Sequence, residues 1–281
     1  MTNIASLSYP SFSNKKRYCD IIIYTHTYDT NILPAMNHPS LSIIIPCYNE
    51  ESVIYDTIKT IAAYLSAKDF DFEIIPVNDG STDRTALEID RARTELSTIR
   101  INPINNPFNQ GKGKAVKDGV LQSQNDVIVF IDADLTVAID ELETFLPALE
   151  TYDIVIASRA LSKTIFEEYN PWYRVFLAKG FRFFHTLILG NSKTKDTQCG
   201  FKVFKKDVAQ TIFRKVTIKR FAFDAEALFI ATKLHYTVKQ LPVTIHKDNR
   251  ISRVNAITDP IDMLFALMKI RLKALLGKYD R

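Results

Sequence analysis

The sequence predicts an α/β protein built on an open, mostly parallel sheet flanked by helices. Short continuous apolar runs recur at residues 41–45, 72–77, 127–131 and 153–157, with the length and composition of strands buried on both faces. Segments with apolar residues at helical spacing lie between them, and strands alternating with helices imply parallel pairing through right-handed crossovers. The runs at 41–45, 72–77 and 127–131 end in a polar loop, and in such sheets ligands bind outside the carboxyl ends of the strands.

The elements follow in order. Residues 1–40 are rich in Ser, Thr, Asn and Tyr, with only the patch 21–23 able to form a strand. We treat them as an extension, and Met36 stands just before the first strong strand as a candidate translation start. The strand 41–45 is closed by Pro46, and Cys47-Tyr48-Asn49-Glu50-Glu51 opens a helix with Val53, Ile54, Ile58, Ile61 and Leu65 on one face. The strand 72–77 runs into Asn78-Asp79-Gly80-Ser81-Thr82-Asp83, where Gly80 permits a tight turn and Ser81 or Thr82 is placed to cap the next helix. A short strand at 98–101, a loop 105–113 and a helix over 114–122 lead to the strand 127–131, followed by another at 153–157.

The second half changes character. Residues 171–189 read as a helix that is apolar nearly all round, with Trp172, Phe176, Phe181, Phe183 and Phe184 interleaved with Arg174, Lys179, Arg182 and His185. A strand over 197–204, helices over 207–213 and 223–234, and a strand over 238–245 come next. The last helix, 260–276, sets Ile261, Leu264, Leu267, Met268, Leu272 and Leu275 against basic residues. The organisation expected is therefore an extension 1–40, a domain 41–258, and a basic amphipathic helix within 259–281.

At 281 residues with 46% hydrophobic and 24% charged content, the chain has ordinary globular composition and can bury a sizeable core. Its formal charge of +4 is skewed, Lys and Arg crowding the second half, which points to an anionic partner such as a phosphate or a membrane surface. No nucleic-acid reader motif accompanies those basic residues. Cys19, Cys47 and Cys199 are odd in number and widely spread, so neither a disulfide framework nor a zinc site is indicated, and a reducing cytosol fits. No run approaches the about 18–20 apolar residues of a membrane span, and the N-terminus has no charged-then-apolar leader.

The central strand 127–131 breaks into Asp132-Ala133-Asp134. Alternation along an extended segment sends both carboxylates the same way, where they repel unless a cation lies between them. A hard divalent cation holding a diphosphate is one answer, since Mg2+ takes one or two carboxylates together with phosphate oxygens; a solvated strand end is the other.

Taken together, Ile43-Ile44-Ile45-Pro46-Cys47-Tyr48-Asn49-Glu50, Val77-Asn78-Asp79-Gly80-Ser81-Thr82-Asp83, Gly111-Lys112-Gly113 and Asp132-Ala133-Asp134 resemble, in order and spacing, the family 2 glycosyltransferases of GT-A (nucleotide-diphospho-sugar transferase) fold. Asp196-Thr197-Gln198-Cys199-Gly200-Phe201-Lys202 and Arg220-Phe221-Ala222-Phe223-Asp224-Ala225-Glu226 look like the branch that makes polyprenyl-phosphate sugars, most closely the dolichyl-phosphate β-glucosyltransferases. The resemblance spans residues 41–277. Phe221 stands where that branch commonly has Trp, and the N-terminal membrane anchor of its eukaryotic members is not seen, so peripheral attachment is expected instead.

The resemblance implies roles residue by residue. Pro46, Tyr48 and Glu50 border the nucleoside, and Asp79 accepts a hydrogen bond from the base. Lys112, between two glycines, meets the uridine or the phosphates; the pattern for a P-loop is lacking. Asp132 and Asp134 border and coordinate Mg2+ or Mn2+ on the diphosphate. Arg159 is the leading ligand for the acceptor phosphate, with Arg174, Arg182 and Lys202 behind it. Asp224 orients the sugar, or acts as a base were the acceptor a hydroxyl; an N-cap or a core hydrogen bond is equally open. His246 approaches the metal from the last strand, a structural role being the alternative. The expected activity is inverting, metal-dependent transfer of glucose from UDP-glucose to a polyprenyl phosphate at the cytoplasmic face of a membrane. Alternatives are another donor (GDP-mannose, UDP-GlcNAc), a saccharide or protein hydroxyl acceptor, or a non-catalytic nucleotide- or membrane-binding module on the same fold.

Overall fold

The computed structural model describes residues 38–167, 172–190, 194–246 and 258–280. Residues 1–37, with the 21–23 patch, Cys19 and Met36, lie outside them, as do the side chains of 172–178, Arg174 included. Strands and helices alternate as the pattern of apolar runs requires. The strands are β1 (Leu41–Cys47), β2 (Phe72–Asp79), β3 (Arg100–Ile101), β4 (Ile104–Asn106), β5 (Val127–Ile131), β6 (Ile154–Ala157), β7 (Ile165–Phe166), β8 (Phe201–Lys205), β9 (Val238–Leu241) and β10 (Thr244–Ile245). The helices are α1 (Ile54–Ala67), α2 (Thr85–Glu95), α3 (Lys112–Gln122), α4 (Leu142–Ala148), α5 (Trp172–Leu189), α6 (Lys206–Lys215), α7 (Phe223–Lys233) and α8 (Thr258–Leu275).

The main sheet runs β3-β2-β1-β5-β8-β6-β9, with β4 also on β2. Ile43 lies between Ile74 and Val129 in parallel register. The strand that breaks the parallel run is β8, antiparallel to both β5 and β6, with Val203 opposite Val129 and Val155. Because β1, β2 and β5 are fully flanked, their side chains are buried on both faces, which is why they read as unbroken apolar runs. One face packs Ile44, Val77, Phe130 and Phe204 against α3, α6 and α7. The other packs Ile43, Ile74, Val129 and Phe201 against α1, α2 and α4. Beyond α7, α8 packs on α5 and sends Leu267, Ile270 and, just after its end, Tyr279 into the first of these cores.

Several expected boundaries move, and proline explains three of them. Pro46 does not close β1, which continues to Cys47; pairing with β5 stops at Ile44, so the missing N–H faces no ladder there. The expected strand 98–101 shrinks to β3, and β4 starts afresh after Pro103, which has no N–H to continue the ladder. The expected strand 238–245 is likewise split at Pro242 into β9 and β10, and β10 pairs with β7, an unforeseen two-residue strand. The strand expected from 197 begins only at Phe201, because Gln198 N–H is tied to Asp196 and the Cys199 carbonyl to Lys202.

Candidate functional site

The loops after β1 and β2 are zipped to each other by short polar side chains. Asn49, in the left-handed region at φ 53°, donates its N–H to Ser81 Oγ at 2.9 Å, and its side-chain oxygen accepts the Thr82 N–H at 2.8 Å. Glu50 N–H reaches Thr85 Oγ1 at 2.7 Å. Ser81 and Thr82 therefore do not cap α2 as expected; its N-cap position is Arg84, and Asp83 just before it accepts the Thr85 N–H at 2.9 Å. These contacts leave Tyr48 exposed at the rim with Pro46 and Glu50 half-buried beside it. Gly80 is obligatory here: at φ +66° a Cβ would sit 2.3 Å from the Phe108 carbonyl carbon.

Asp79 ends β2 almost wholly buried. Its carboxylate accepts the Gly111 N–H at 2.6 Å, the Gln110 N–H at 3.0 Å and Asn106 Nδ2 at 3.1 Å. The carboxylate thus fixes the turn that starts α3. With Gly111 held at φ 104°, the helix begins at Lys112, two residues earlier than the sequence suggested.

Lys112 Nζ lies 2.7 Å from Asp132 Oδ1 and 5.4 Å from the centre of the Phe130 ring. Burial works against its charge, but the carboxylates of Asp132 and Asp224 outweigh that and hold its pKa above the ordinary lysine value. Asp132 is pinned by its N–H to the Gly200 carbonyl at 3.1 Å, and a Cβ on Gly200 would come 1.9 Å from Asp132 Oδ2. Any larger residue there would displace the Asp132 side chain from this position. Asp134 follows in a turn fastened from α1 by Thr57, whose hydroxyl donates to the Ala133 carbonyl at 2.6 Å; Asp134 Oδ1 accepts the Thr136 N–H at 3.0 Å. His246 is close in the chain path, donating its N–H to the Thr136 carbonyl at 2.8 Å, but its Nδ1 is turned to Glu167 Oε1 at 2.9 Å.

Asp132 and Asp134 offer hard carboxylate oxygens at one strand end, a donor set that fits Mg2+ or Mn2+ as a partial shell completed by a ligand. Among the described residues no group of three or more His, Cys, Asp or Glu is gathered to hold a metal by itself.

Beneath this rim lies a second ion pair. Lys202 on β8 places Nζ 2.7 Å from Asp224 Oδ1, with side chains 2% and 7% exposed, and 5.4 Å from the same Phe130 ring. Lys202 also donates to the Cys199 carbonyl at 2.6 Å. Burial raises the Asp224 pKa, against the pull of Lys202 and Lys112. Arg159, after β6, is gripped by Asp196: Nε to Oδ2 at 2.8 Å, Nη2 to Oδ1 at 3.0 Å, and the Arg159 N–H to Oδ2 at 2.9 Å. The Arg159 side chain as a whole stays 42% exposed, and Nη1 lies outside this grip. Arg182, on α5, is exposed.

The structure thus gathers Lys112, Asp132, Lys202 and Asp224 around Phe130, seats Asp134 next to Asp132, and holds Asp79 at the foot of the Lys112 turn. The ring of His246 faces Glu167. Sequence reasoning missed three contributors: Thr57, Gly200 as the cradle for Asp132, and Asp196 as the grip on Arg159. The last two sit in the Asp196–Lys202 stretch that stood out as a motif without showing what it touched.

A family model described as Glycosyl transferase family 2 matches residues 42–213. A dolichyl-phosphate β-glucosyltransferase of Trichomonas vaginalis is 35% identical over 236 residues, covering 79% of this chain and 69% of that protein. The dolichyl-phosphate β-glucosyltransferase of Saccharomyces cerevisiae is 33% identical over 258 residues, covering 85% and 76%. Among solved structures, mannosyl-3-phosphoglycerate synthase from Rubrobacter xylanophilus matches with TM-score 0.62 at 16% identity, over 86% of this chain and 76% of that one. Glucosyl-3-phosphoglycerate synthase from Mycobacterium tuberculosis, solved with Mn2+, UDP and glucosyl-3-phosphoglycerate, matches with TM-score 0.57 at 18% identity, over 85% and 80%.

The Arg159–Asp196 grip has a pH signature. Burial alone would raise the Asp196 pKa, but the charge and hydrogen bonds of Arg159 and the Gln198 N–H lower it from 3.8 to about 2. Its stabilisation is therefore complete above the ordinary carboxylate value and is lost as pH falls through about 2; it is worth about 2 kcal/mol. Urea unfolding should find Asp196→Asn less stable than the parent at neutral pH, with the gap closing between about pH 4 and pH 2. A gap that does not change over that range contradicts the assignment.

Proposed function

We propose, from the premise that this chain belongs to glycosyl transferase family 2 and has the GT-A fold, that it transfers glucose from UDP-glucose to a polyprenyl phosphate of the dolichyl type, with inversion, at the cytoplasmic face of a membrane. That it is a glycosyltransferase follows from the family; the donor, the metal and the membrane face are our reading. The observation that carries it is the Lys112–Asp132 pair beside Asp134, at the carboxyl end of β5 and facing the rim formed by the loops of β1 and β2.

On this reading Pro46, Tyr48 and Glu50 border the nucleoside and Asp79 holds the turn against which the uracil lies. Lys112 and the first turn of α3 present positive charge to the diphosphate. Asp132 and Asp134 would hold Mg2+ or Mn2+, which offsets the charge developing on the departing UDP. On the acceptor side Arg159, oriented by Asp196, offers its free guanidinium edge to the lipid phosphate and brings it in line with the anomeric carbon. A phosphate is already an anionic nucleophile and needs no base. The burial of Asp224 against Lys202 favours this acceptor over a hydroxyl, because a base for a hydroxyl must reach it and Asp224 is committed to an ion pair.

The lipid would be met by the helices beyond the sheet. Ile261, Phe265, Met268, Leu272 and Leu275 recur at helical spacing along α8 and are all exposed, beside exposed Phe183, Phe184 and Leu187 on the neighbouring α5. Exposed Arg182, Lys269, Arg271 and Lys278 flank them, the composition of an interfacial element on an anionic bilayer. No helix among the described residues is long and apolar enough to cross a membrane.

Purified protein incubated with labelled UDP-glucose, Mn2+ and a polyprenyl phosphate in vesicles should yield lipid-extractable label, and Asp134→Asn should reduce it by at least about 100-fold, as loss of a group stabilising the developing charge does. Label arriving instead on a soluble saccharide would reject the lipid acceptor; an unchanged Asp134→Asn rate would remove that residue from the site. The apolar face makes a separate demand. Leu272→Glu combined with Leu275→Glu should reduce co-sedimentation with anionic vesicles while leaving the melting temperature unchanged, since both side chains already face solvent. Undiminished vesicle binding would exclude this face.

A further inference from the structure

Behind the Lys112 turn lies a wall made by residues 217–220. The Lys219 carbonyl accepts the Lys114 N–H at 3.1 Å, and a Cβ on Gly111 would fall 2.5 Å from that same oxygen. A Cβ on Gly113 would fall 2.6 Å from the Ile218 carbonyl. Both glycines of Gly111-Lys112-Gly113 are thus required by close contact, Gly111 with this wall and Gly113 with both the wall and Phe223 on α7, so the turn carrying Lys112 is packed directly against residues 218–219.

The wall itself hangs on one carboxylate. Glu226, on α7 and wholly buried, accepts the Thr217 N–H at 2.7 Å and the Ile218 N–H at 2.6 Å with one oxygen, and the Thr217 hydroxyl at 2.7 Å with the other. The oxygen that takes the Thr217 hydroxyl also accepts the hydroxyl of Tyr279 at 2.5 Å, which reaches in from beyond the end of α8. Burial, with the bond to Glu226, raises the Tyr279 pKa, so the phenol stays a neutral donor. Its ring packs edge-on to Phe229 on the same helix as Glu226, with centroids 6.0 Å apart. Lys273, in the last turn of α8, donates to Thr217 Oγ1, and Lys215 Nζ to the Asp280 carbonyl at 2.8 Å. A buried carboxylate needs such donors, and losing one leaves it under-satisfied at a cost that shifts its other partners.

We infer that Glu226 and Tyr279 are positioning residues for the donor site: the C-terminal phenol completes the shell of Glu226, Glu226 fixes residues 217–218, and these fix the turn that carries Lys112. The segment after α8 therefore helps shape the nucleotide pocket, although it touches no substrate. This rests on the reading that Lys112 meets the donor diphosphate.

The test uses the full chain with Mn2+ and follows UDP binding by calorimetry at a temperature where every variant is folded. Tyr279→Phe keeps the ring and removes only the hydroxyl; it should weaken UDP about fivefold, in the range contributed by residues coupled to a site without touching its ligand. Glu226→Gln should weaken it further. In a Lys112→Ala background Tyr279→Phe should have no additional effect, because its influence runs through Lys112. A parent protein that does not bind UDP would overturn the donor-site reading and this inference with it. A parent that binds UDP, with Tyr279→Phe lowering only the melting temperature or acting equally in the Lys112→Ala background, would overturn the inference alone.

Discussion

The contact of Lys112 with Asp132 over the Phe130 ring is the interaction on which the rest of the site depends. Two carboxylates at the end of one buried strand, Asp132 and Asp134, need positive charge nearby, and the fold supplies it from a turn that other contacts fix. Asp79 holds that turn from below and residues 217–220 hold it from behind. Gly200 lets β8 approach closely enough to seat Asp132. Any change that moves α3, β8 or the 217–220 wall therefore changes the charge presented at the strand ends.

The same economy of charge runs deeper. Lys202 and Asp224 place a second ion pair beside the same Phe130 ring, nearly excluded from water. Buried pairs contribute little net stability, yet breaking one leaves an uncompensated charge in a low dielectric. Here the charge of Asp224 reaches Lys112, so the pair contributes to the field in which Lys112 sits. After β6 the grip of Asp196 on Arg159 uses two of the guanidinium nitrogens, Nε and Nη2. Two cationic side chains are thus each oriented by a protein carboxylate, Lys112 by Asp132 and Arg159 by Asp196.

Much of this was legible in the sequence because the parallel strands are buried on both faces and read as unbroken apolar runs, each followed at its carboxyl end by polar residues of the candidate site. The open α/β sheet, and the places of Pro46, Tyr48, Glu50, Asp79 and Asp132 on its rim, follow from that pattern. What was not legible depends on contacts between distant segments. The antiparallel insertion of β8 between β5 and β6 leaves no mark on an apolar run. The pairing of Lys202 with Asp224 joins a strand to a helix that periodicity treats separately. Ser81 and Thr82 look like caps locally, but tertiary pairing with Asn49 takes them instead. Pro103 and Pro242 break ladders that β-propensity alone would continue.

The claim at the centre is that the ends of β1, β2 and β5 hold a metal-bound nucleotide diphosphate. Anomalous scattering from Mn2+ in crystals grown with UDP tests it most directly. The account predicts a Mn2+ peak bound by Asp132 and Asp134, with the diphosphate beside Lys112 and the uracil on the Asp79 rim. A peak elsewhere, or UDP seated away from these strand ends, would contradict it.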